Sequence, residues 1–197
     1  MNTDEILSCW FGELSEKQPL PQSRLQFWFA GAGQTDREIE QKFGHLLKPK
    51  GQFLWTPPAD VRRCLALILC CDQFPRNIFR GTPGAFAYDA RALQLSLSGI
   101  ERGWDRQLRC VERAFFYLPL EHSEDRGHQE RSVELFGELL REAPEAQKSG
   151  FESFLDYARR HREIIAQFGR FPHRNRILGR VSTPEERAFL KQPGSSF

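Results

Sequence analysis

The chain has 197 residues, of which 40% are hydrophobic and 12% are aromatic. This composition can form one substantial core but is short for two, so we expect a single domain over residues 1–197 and exclude a disordered chain. The formal net charge is only +2, which excludes the strong field of a general nucleic-acid or membrane-surface binder. We therefore expect neither nucleic acid nor a membrane as a partner.

The first residues and the cysteines favour a cytoplasmic protein. The segment MNTDEILSCWFGEL carries acidic side chains where a signal peptide carries Lys or Arg. No apolar run approaches the roughly 20 residues that a membrane span needs. The five cysteines include no Cys-x-x-Cys pair, and the adjacent Cys70 and Cys71 are poorly placed for an ordinary disulfide. We expect reduced, buried thiols.

Helix signals recur along the chain, with few of the alternating patterns that indicate strands. Residues 35–38 (TDRE) and 183–186 (TPEE) read as capping boxes, which open helices that continue through Leu47 and Leu190. Pro119 should kink or break the helical run at residues 110–140, because proline lacks a backbone donor. Short connections favour antiparallel helical hairpins. The other predicted helices span residues 4–12, 24–30, 58–74, 85–102, 108–118, 121–142 and 151–168.

Two corners of the chain resemble one another. The sequence QFPRNI at residues 73–78 and the sequence RFPHRN at residues 170–175 both follow a long helix with an apolar face, and both leave it through Phe-Pro. We interpret them as equivalent corners of a repeated helical unit, although two copies fall short of a solenoid signature.

Long motifs connect the chain to a known family. They include CWFGE, CDQFPRNIFRGTPGAFAYDARAL, FYLPLEHSEDRGHQERSVELF and YARRHREIIAQFGRFPHRNRILGR, and with STPEERAFL they extend from residue 9 to residue 190. These motifs resemble those of an uncharacterised bacterial family, the domain of unknown function nine-two-four. The resemblance implies an all-α fold, a tetratricopeptide-like array of antiparallel helical hairpins, and it supplies no activity.

Ionisable residues fall on the inward-facing stripes of three predicted helices. Projection at about 100° per residue places an acid in the apolar stripe of helix 58–74, and further ionisable groups on the stripes of helices 121–142 and 151–168. Burying an unpaired charge costs several kcal/mol, so these groups must meet partners. The residues concerned are Asp72, Glu121, His122, Asp125, His161 and Arg162.

The cationic residues favour recognition of an anion. The chain has 22 Arg against 6 Lys, and residues 159–187 hold eight Arg and two His against three Glu. Guanidinium groups form paired hydrogen bonds with carboxylate and phosphate. We therefore predict a polar cleft that binds a small anionic metabolite or an acidic peptide. Its predicted residues are Asp72, Arg76, Asn77, Glu121, His122, Asp125, His161, Arg162, Arg170, His173, Arg174 and Asn175.

Two other interpretations stay open. In the first, the protein is an enzyme in which Asp125, Glu121 or His122 acts as a general acid or base. In the second, it is a scaffold whose charged cluster only fixes the fold. Neither a doubled Glu-x-x-His pattern nor a suitably spaced Cys/His set is present, so we expect no metal and no cofactor. The sequence leaves the oligomeric state open.

The shared polar cluster implies a specific geometry. If the inward stripes carry charges, the three helices should pack around one volume that opens to solvent. The two Phe-Pro corners leave two of these helices, so we expect Arg76 or Arg174 to donate a charge-assisted hydrogen bond of around 2.7–2.9 Å to Asp72, Glu121 or Asp125.

Overall fold

In the computed structural model, which describes residues 2–29, 33–47 and 52–195, every regular element is a helix. The predicted all-α class is confirmed, while the finer tetratricopeptide-like arrangement stays a prediction. The predicted end of one helix at Ala30 lies outside the described residues. The described α-helices are α1 (Thr3–Phe11), α2 (Gln22–Phe29), α3 (Gln34–Phe43), α4 (Val61–Ile68), α5 (Phe74–Ile78), α6 (Asp89–Glu101), α7 (Cys110–Glu121), α8 (Arg126–Glu142), α9 (Lys148–Phe168) and α10 (Pro184–Phe189).

The core lies where α1, α4, α6, α7, α8 and α9 pack together. Short connections at residues 122–125 and 143–147 join α7 to α8 and α8 to α9, so these neighbours run antiparallel. Aromatic rings fill much of the interior, as the composition predicts. The rings of Trp10 and Phe115 meet edge to face with their centroids 5.5 Å apart. None of the described helices combines the length and the apolarity that a membrane span requires.

A π-helical segment, Leu69–Gln73, joins α4 to α5. The helix predicted at residues 58–74 begins at Val61, where Asp60 caps it by accepting a hydrogen bond from the Arg63 amide at 2.8 Å. The helical run continues through the π segment to Ile78. Pro75 does not end it, because Pro75 lies in the first turn of α5, where a proline's missing backbone donor is tolerated. The π segment turns Asp72 fully into the interior.

The break near Pro119 falls two residues later than the proline. Pro119 lies inside α7, and the His122 amide still closes the last turn by donating to the Leu118 carbonyl at 2.9 Å. The next helix, α8, begins only at Arg126, because the Asp125 carboxylate accepts the His128 amide at 3.0 Å and forms the N-cap. The helix predicted at residues 121–142 therefore lacks its first five positions.

One of the two predicted capping boxes is present. Thr183 and Glu186 form the box that opens α10: the Thr183 hydroxyl accepts the Glu186 amide at 3.2 Å, and the Glu186 carboxylate accepts the Thr183 amide at 2.7 Å. The box predicted at Thr35 is wrong, because α3 already begins at Gln34. The acid of that segment, Asp36, has remote partners instead.

Gly99 permits the close packing of α6 on α7. An ideal Cβ at this position lies only 2.4 Å from Cζ of Phe116, whose side chain is fully buried and cannot move aside. We expect Gly99→Ala to lower the free energy of unfolding by about 1–3 kcal/mol through overpacking. In α8, Gly137 has room for a Cβ, with its nearest neighbour atom 3.8 Å away. Gly137→Ala should therefore stabilise by about 0.5–1 kcal/mol. Urea denaturation of both variants tests the prediction, and an equal response of the two contradicts it.

Candidate functional site

Asp72 is a buried carboxylate with a partner on each oxygen. Its Oδ2 accepts a hydrogen bond from Nε2 of Gln73 at 2.6 Å. Its Oδ1 lies 2.7 Å from Nδ1 of His122 and 3.4 Å from Nη1 of Arg76. Burial alone raises the pKa of a carboxyl, but Arg76 and His122 hold the pKa of Asp72 well below its usual range. Asp72 is therefore ionised at neutral pH.

His122, the residue after α7, connects Asp72 to the surface, and 15% of its side chain is exposed. Burial lowers the pKa of His122 and the Arg76 charge adds to this, while the attraction of Asp72 opposes it only in part. The ring is therefore neutral at neutral pH. Because the adjacent carboxylate is ionised, Nδ1 must donate to it, and this tautomer leaves the lone pair on Nε2.

The two Phe-Pro corners meet at Asp89, the first residue of α6. Arg76 donates to both carboxylate oxygens of Asp89, at 2.8 Å and 3.0 Å, and to the Asp72 carbonyl at 2.6 Å. From the other corner, Nη1 of Arg174 reaches the same carboxylate at 3.4 Å. The prediction of a 2.7–2.9 Å bond to Asp72, Glu121 or Asp125 is wrong about the acceptor: Arg76 bonds to Asp89, and its Nη1 lies 3.4 Å from the Asp72 carboxylate.

Arg174 is a buried cation whose charge is only partly compensated. Its guanidinium carbon lies 4.7 Å from the ring centre of Phe86 and 4.5 Å from that of Phe171, so the two rings hold it in place. Its Nε is buried without a hydrogen-bond partner. Burial and the repulsion of Arg76 lower the pKa of Arg174 to about 10.

Glu121 and His161 form a second buried pair behind the first, with 3.1 Å between Oε1 of Glu121 and Nδ1 of His161. Burial raises the pKa of Glu121 to about 8, and the charge of Asp72 adds to the shift. Burial also lowers the pKa of His161 well below its usual value, with His122 adding to the effect. The short distance suggests an ion pair. The raised pKa of Glu121 and the lowered pKa of His161 indicate instead a neutral acid beside a neutral imidazole, because burial removes the water that would stabilise either charge. Oε2 of Glu121 has no hydrogen-bond partner.

These buried and partly buried ionisable residues form one polar cluster: Asp72, Arg76, Asp89, Glu121, His122, His161 and Arg174. A cleft of about 240 Å³ opens beside this cluster. It lies between α6, the end of α7 and the corner at Pro172–Arg174. It is lined by Asp89, Ala90, Leu93, Pro119, His122, Ser123, Glu124 and Arg174.

Two of the predicted site residues lie outside the cluster. Asp125 is exposed, because it caps α8 instead of lying on a helix that starts at Glu121. Arg162 is 34% exposed and its Nη1 lies 3.7 Å from Glu130. The buried stripe of α9 passes through His161, so the projection that placed Arg162 near its centre was wrong.

Four other predicted site residues do not line the cleft and have structural contacts instead. Asn77 donates to Asp36 at 2.9 Å, which ties α5 to α3. Arg170 binds both oxygens of Glu186, at 2.6 Å and 2.8 Å, and Asn175 donates to the same carboxylate at 3.1 Å. These bonds tie α10 to the second corner. The ring of His173 packs with its centre 5.7 Å from that of Phe171, and burial, with the Arg174 charge adding, lowers the pKa of His173 to about 4.

Sequence reasoning missed two acids of the cleft, Asp89 and Glu124. Glu124 accepts the Phe171 amide at 2.8 Å and pairs with Arg180 at 2.7 Å and 3.0 Å, so it fixes the second corner against the end of α7. Both acids lie inside the motifs AFAYDARAL and EHSEDR that carry the family resemblance. That position in a motif was the available signal.

No metal-binding arrangement occurs in the described part of the chain: it contains no cluster of three or more His, Cys, Asp or Glu side chains that could hold an ion. The absence of a bound metal stays a prediction. The chemistry of the cleft that can be argued from the structure rests on its guanidinium, imidazole and carboxyl groups.

Comparison with known proteins identifies the family. A solved structure of a protein of unknown function from Agrobacterium tumefaciens is 32% identical, and the match covers 96% of each chain with a TM-score of 0.77. No curated protein matches the chain significantly. The profile of the family described as "Bacterial protein of unknown function (DUF924)" matches residues 6–194. The chain therefore belongs to the DUF924 family of bacterial proteins of unknown function.

Proposed function

We propose that this protein binds a small anionic metabolite in the cleft and that Arg174 anchors the anion. The observation that carries the proposal is the incomplete neutralisation of Arg174. The carboxylate it contacts, Asp89, already accepts two closer hydrogen bonds from Arg76. A carboxylate or phosphate in the cleft supplies the missing negative charge to a guanidinium that is already dehydrated.

The surroundings of Arg174 support an anchoring role. A long cationic side chain normally loses rotamer freedom when it binds a ligand, at a cost of about 0.5–1.5 kcal/mol. Arg174 already lies between the rings of Phe86 and Phe171, so its rotamer freedom is lost on folding and not on binding. The guanidinium is therefore preorganised for an anion.

The size of the cleft favours a metabolite over a peptide. A volume of about 240 Å³ corresponds to roughly eight water molecules at about 30 Å³ each. That space fits a compact acid or phosphate better than an acidic peptide segment, which needs an extended groove. Metabolites of this kind are abundant in the cytoplasm, where we expect the protein to act.

A thermal-shift screen of small phosphates and carboxylates tests the proposal. A ligand at a hundredfold its dissociation constant stabilises the folded protein by about 2.7 kcal/mol, which is readily detected. We expect shifts for the wild type and for Arg162→Ala, whose side chain lies outside the cleft. We expect none for Arg174→Ala. Equal shifts in all three proteins, or a shift lost only in Arg162→Ala, contradict the proposed site.

A further inference from the structure

We propose that the cleft is also an acid–base active site, in which Nε2 of His122 takes a proton from a hydroxyl group of the bound anion. This inference rests on the proposed function, since Arg174 must hold the substrate. The substrate class is a small hydroxylated carboxylate or phosphate. In the step, the O–H bond breaks, an N–H bond forms at Nε2, and the electron pair of the broken bond stays on the oxygen.

The contact between Asp72 and His122 is the basis for this assignment. An ionised carboxylate 2.7 Å from Nδ1 fixes the tautomer and the orientation of the ring, and it stabilises the imidazolium that forms when Nε2 takes a proton. Asp72 is itself held by Gln73 and Arg76, on a segment where every residue is buried. It is therefore a positioning residue, while His122 is the group that meets the substrate.

The positions of His122 and Arg174 suit a substrate that touches both. Both side chains line the same cleft, so an anion on the guanidinium keeps a neighbouring hydroxyl close to Nε2. Holding the two reacting groups together in this way removes much of the entropic barrier to proton transfer. Ser123, also in the cleft, has another role: its hydroxyl accepts the Asp125 amide at 3.2 Å and contacts Nδ1 of His128 at 3.0 Å.

Charged groups of both signs face His122. The groups that face it are Asp72 from the π segment, Arg76 from α5, Asp89 from α6, His161 from α9, and His173 and Arg174 from the second corner. Glu124, which also lines the cleft, is paired with Arg180, and His161 and His173 have lowered pKa values and are neutral at neutral pH. Proton transfer then creates an imidazolium beside Asp72 and an alkoxide beside Arg174, so each new charge has a partner of opposite sign.

Diethyl pyrocarbonate, which acylates neutral imidazole, measures whether Nε2 of His122 acts as an accessible base. His128 serves as the internal control, since it is more exposed than His122, 31% against 15%, but has no contact with Asp72. Peptide mapping by mass spectrometry gives the acylation rate at each histidine. We expect Asp72→Asn to slow acylation of His122 several-fold, because the ring loses the carboxylate that stabilises positive charge on it, and to leave the rate at His128 unchanged.

Nitrogen-15 NMR of wild-type imidazole groups supplies a measurement that needs no variant. We expect neutral His122 to carry its proton on Nδ1 and to titrate below the ordinary histidine value of 6.5. An Nε2-protonated ring overturns the proposal, as does a His122 that resists acylation or an unchanged rate in Asp72→Asn. Inorganic phosphate should protect His122 from acylation in the wild type. If it fails to protect while the Asp72 dependence holds, the anion site at Arg174 is wrong and the base assignment stands.

Discussion

Glu121→Gln is expected to stabilise the protein increasingly as the pH rises from about 4.5 to about 8. In the unfolded chain this carboxyl ionises near 4.5, whereas burial and the Asp72 charge raise its folded pKa to about 8. Between these values the unfolded state has lost a proton that the folded state still holds. Wild-type stability therefore falls by about 1.4 kcal/mol per pH unit from this group alone, approaching about 5 kcal/mol in total.

Glutamine imitates the protonated acid at every pH, so the variant lacks this penalty. Urea denaturation of both proteins at intervals from pH 5 to pH 8.5 measures the difference. Glu130→Gln is the matched control, because Glu130 is exposed and Nη1 of Arg162 lies 3.7 Å from its carboxylate. The control should give a difference that is small at every pH. Parallel stability curves for the wild type and Glu121→Gln mean that Glu121 ionises normally in the folded protein.

Periodicity alone identified the buried polar residues on continuous helices. Asp72 and His161 were expected on inward stripes, and both are buried in the structure. The method failed for Asp125 because the projection treated residues 121–142 as one helix, whereas a cap at Asp125 separates Glu121 from α8. It failed for Arg162 because a long side chain beside an apolar stripe can bend toward solvent.

Asp89 shows what helical periodicity does not reveal. An acid in the first turn of a helix is explained locally by the helix dipole, so only its place in a family motif marked Asp89. Its role depends on two corners that are 98 positions apart in the sequence, from Arg76 to Arg174, and that meet only in the folded chain. The likeness of the two corners suggested a relation between them, but it did not indicate which carboxylate joins them.

Arg76→Met is expected to lower the free energy of unfolding by about 3–5 kcal/mol at pH 7, the usual cost of breaking a buried ion pair from one side. Arg76 is the cation that Asp72 and Asp89 share. Without it, Arg174 can still reach Asp89, but the fully buried Asp72 keeps only the neutral Gln73 and His122.

The loss should depend on pH in a defined direction. In the wild type the pKa of Asp72 is depressed, so its stabilising contribution is present at both pH 7 and pH 4 and is lost only at lower pH. In Arg76→Met the guanidinium no longer opposes the effect of burial, so the pKa of the buried Asp72 carboxyl rises. The variant then regains stability as this carboxyl is protonated, and the stability difference between the two proteins should shrink when the pH is lowered from 7 to 4.

The control is Arg62→Met, which breaks an exposed pair with Asp4 at 3.1 Å and should cost only about 0–1 kcal/mol at either pH. Urea denaturation of both variants at pH 7 and pH 4 makes the comparison. If the two variants lose the same stability, the Asp72 carboxylate does not depend on Arg76 for its charge.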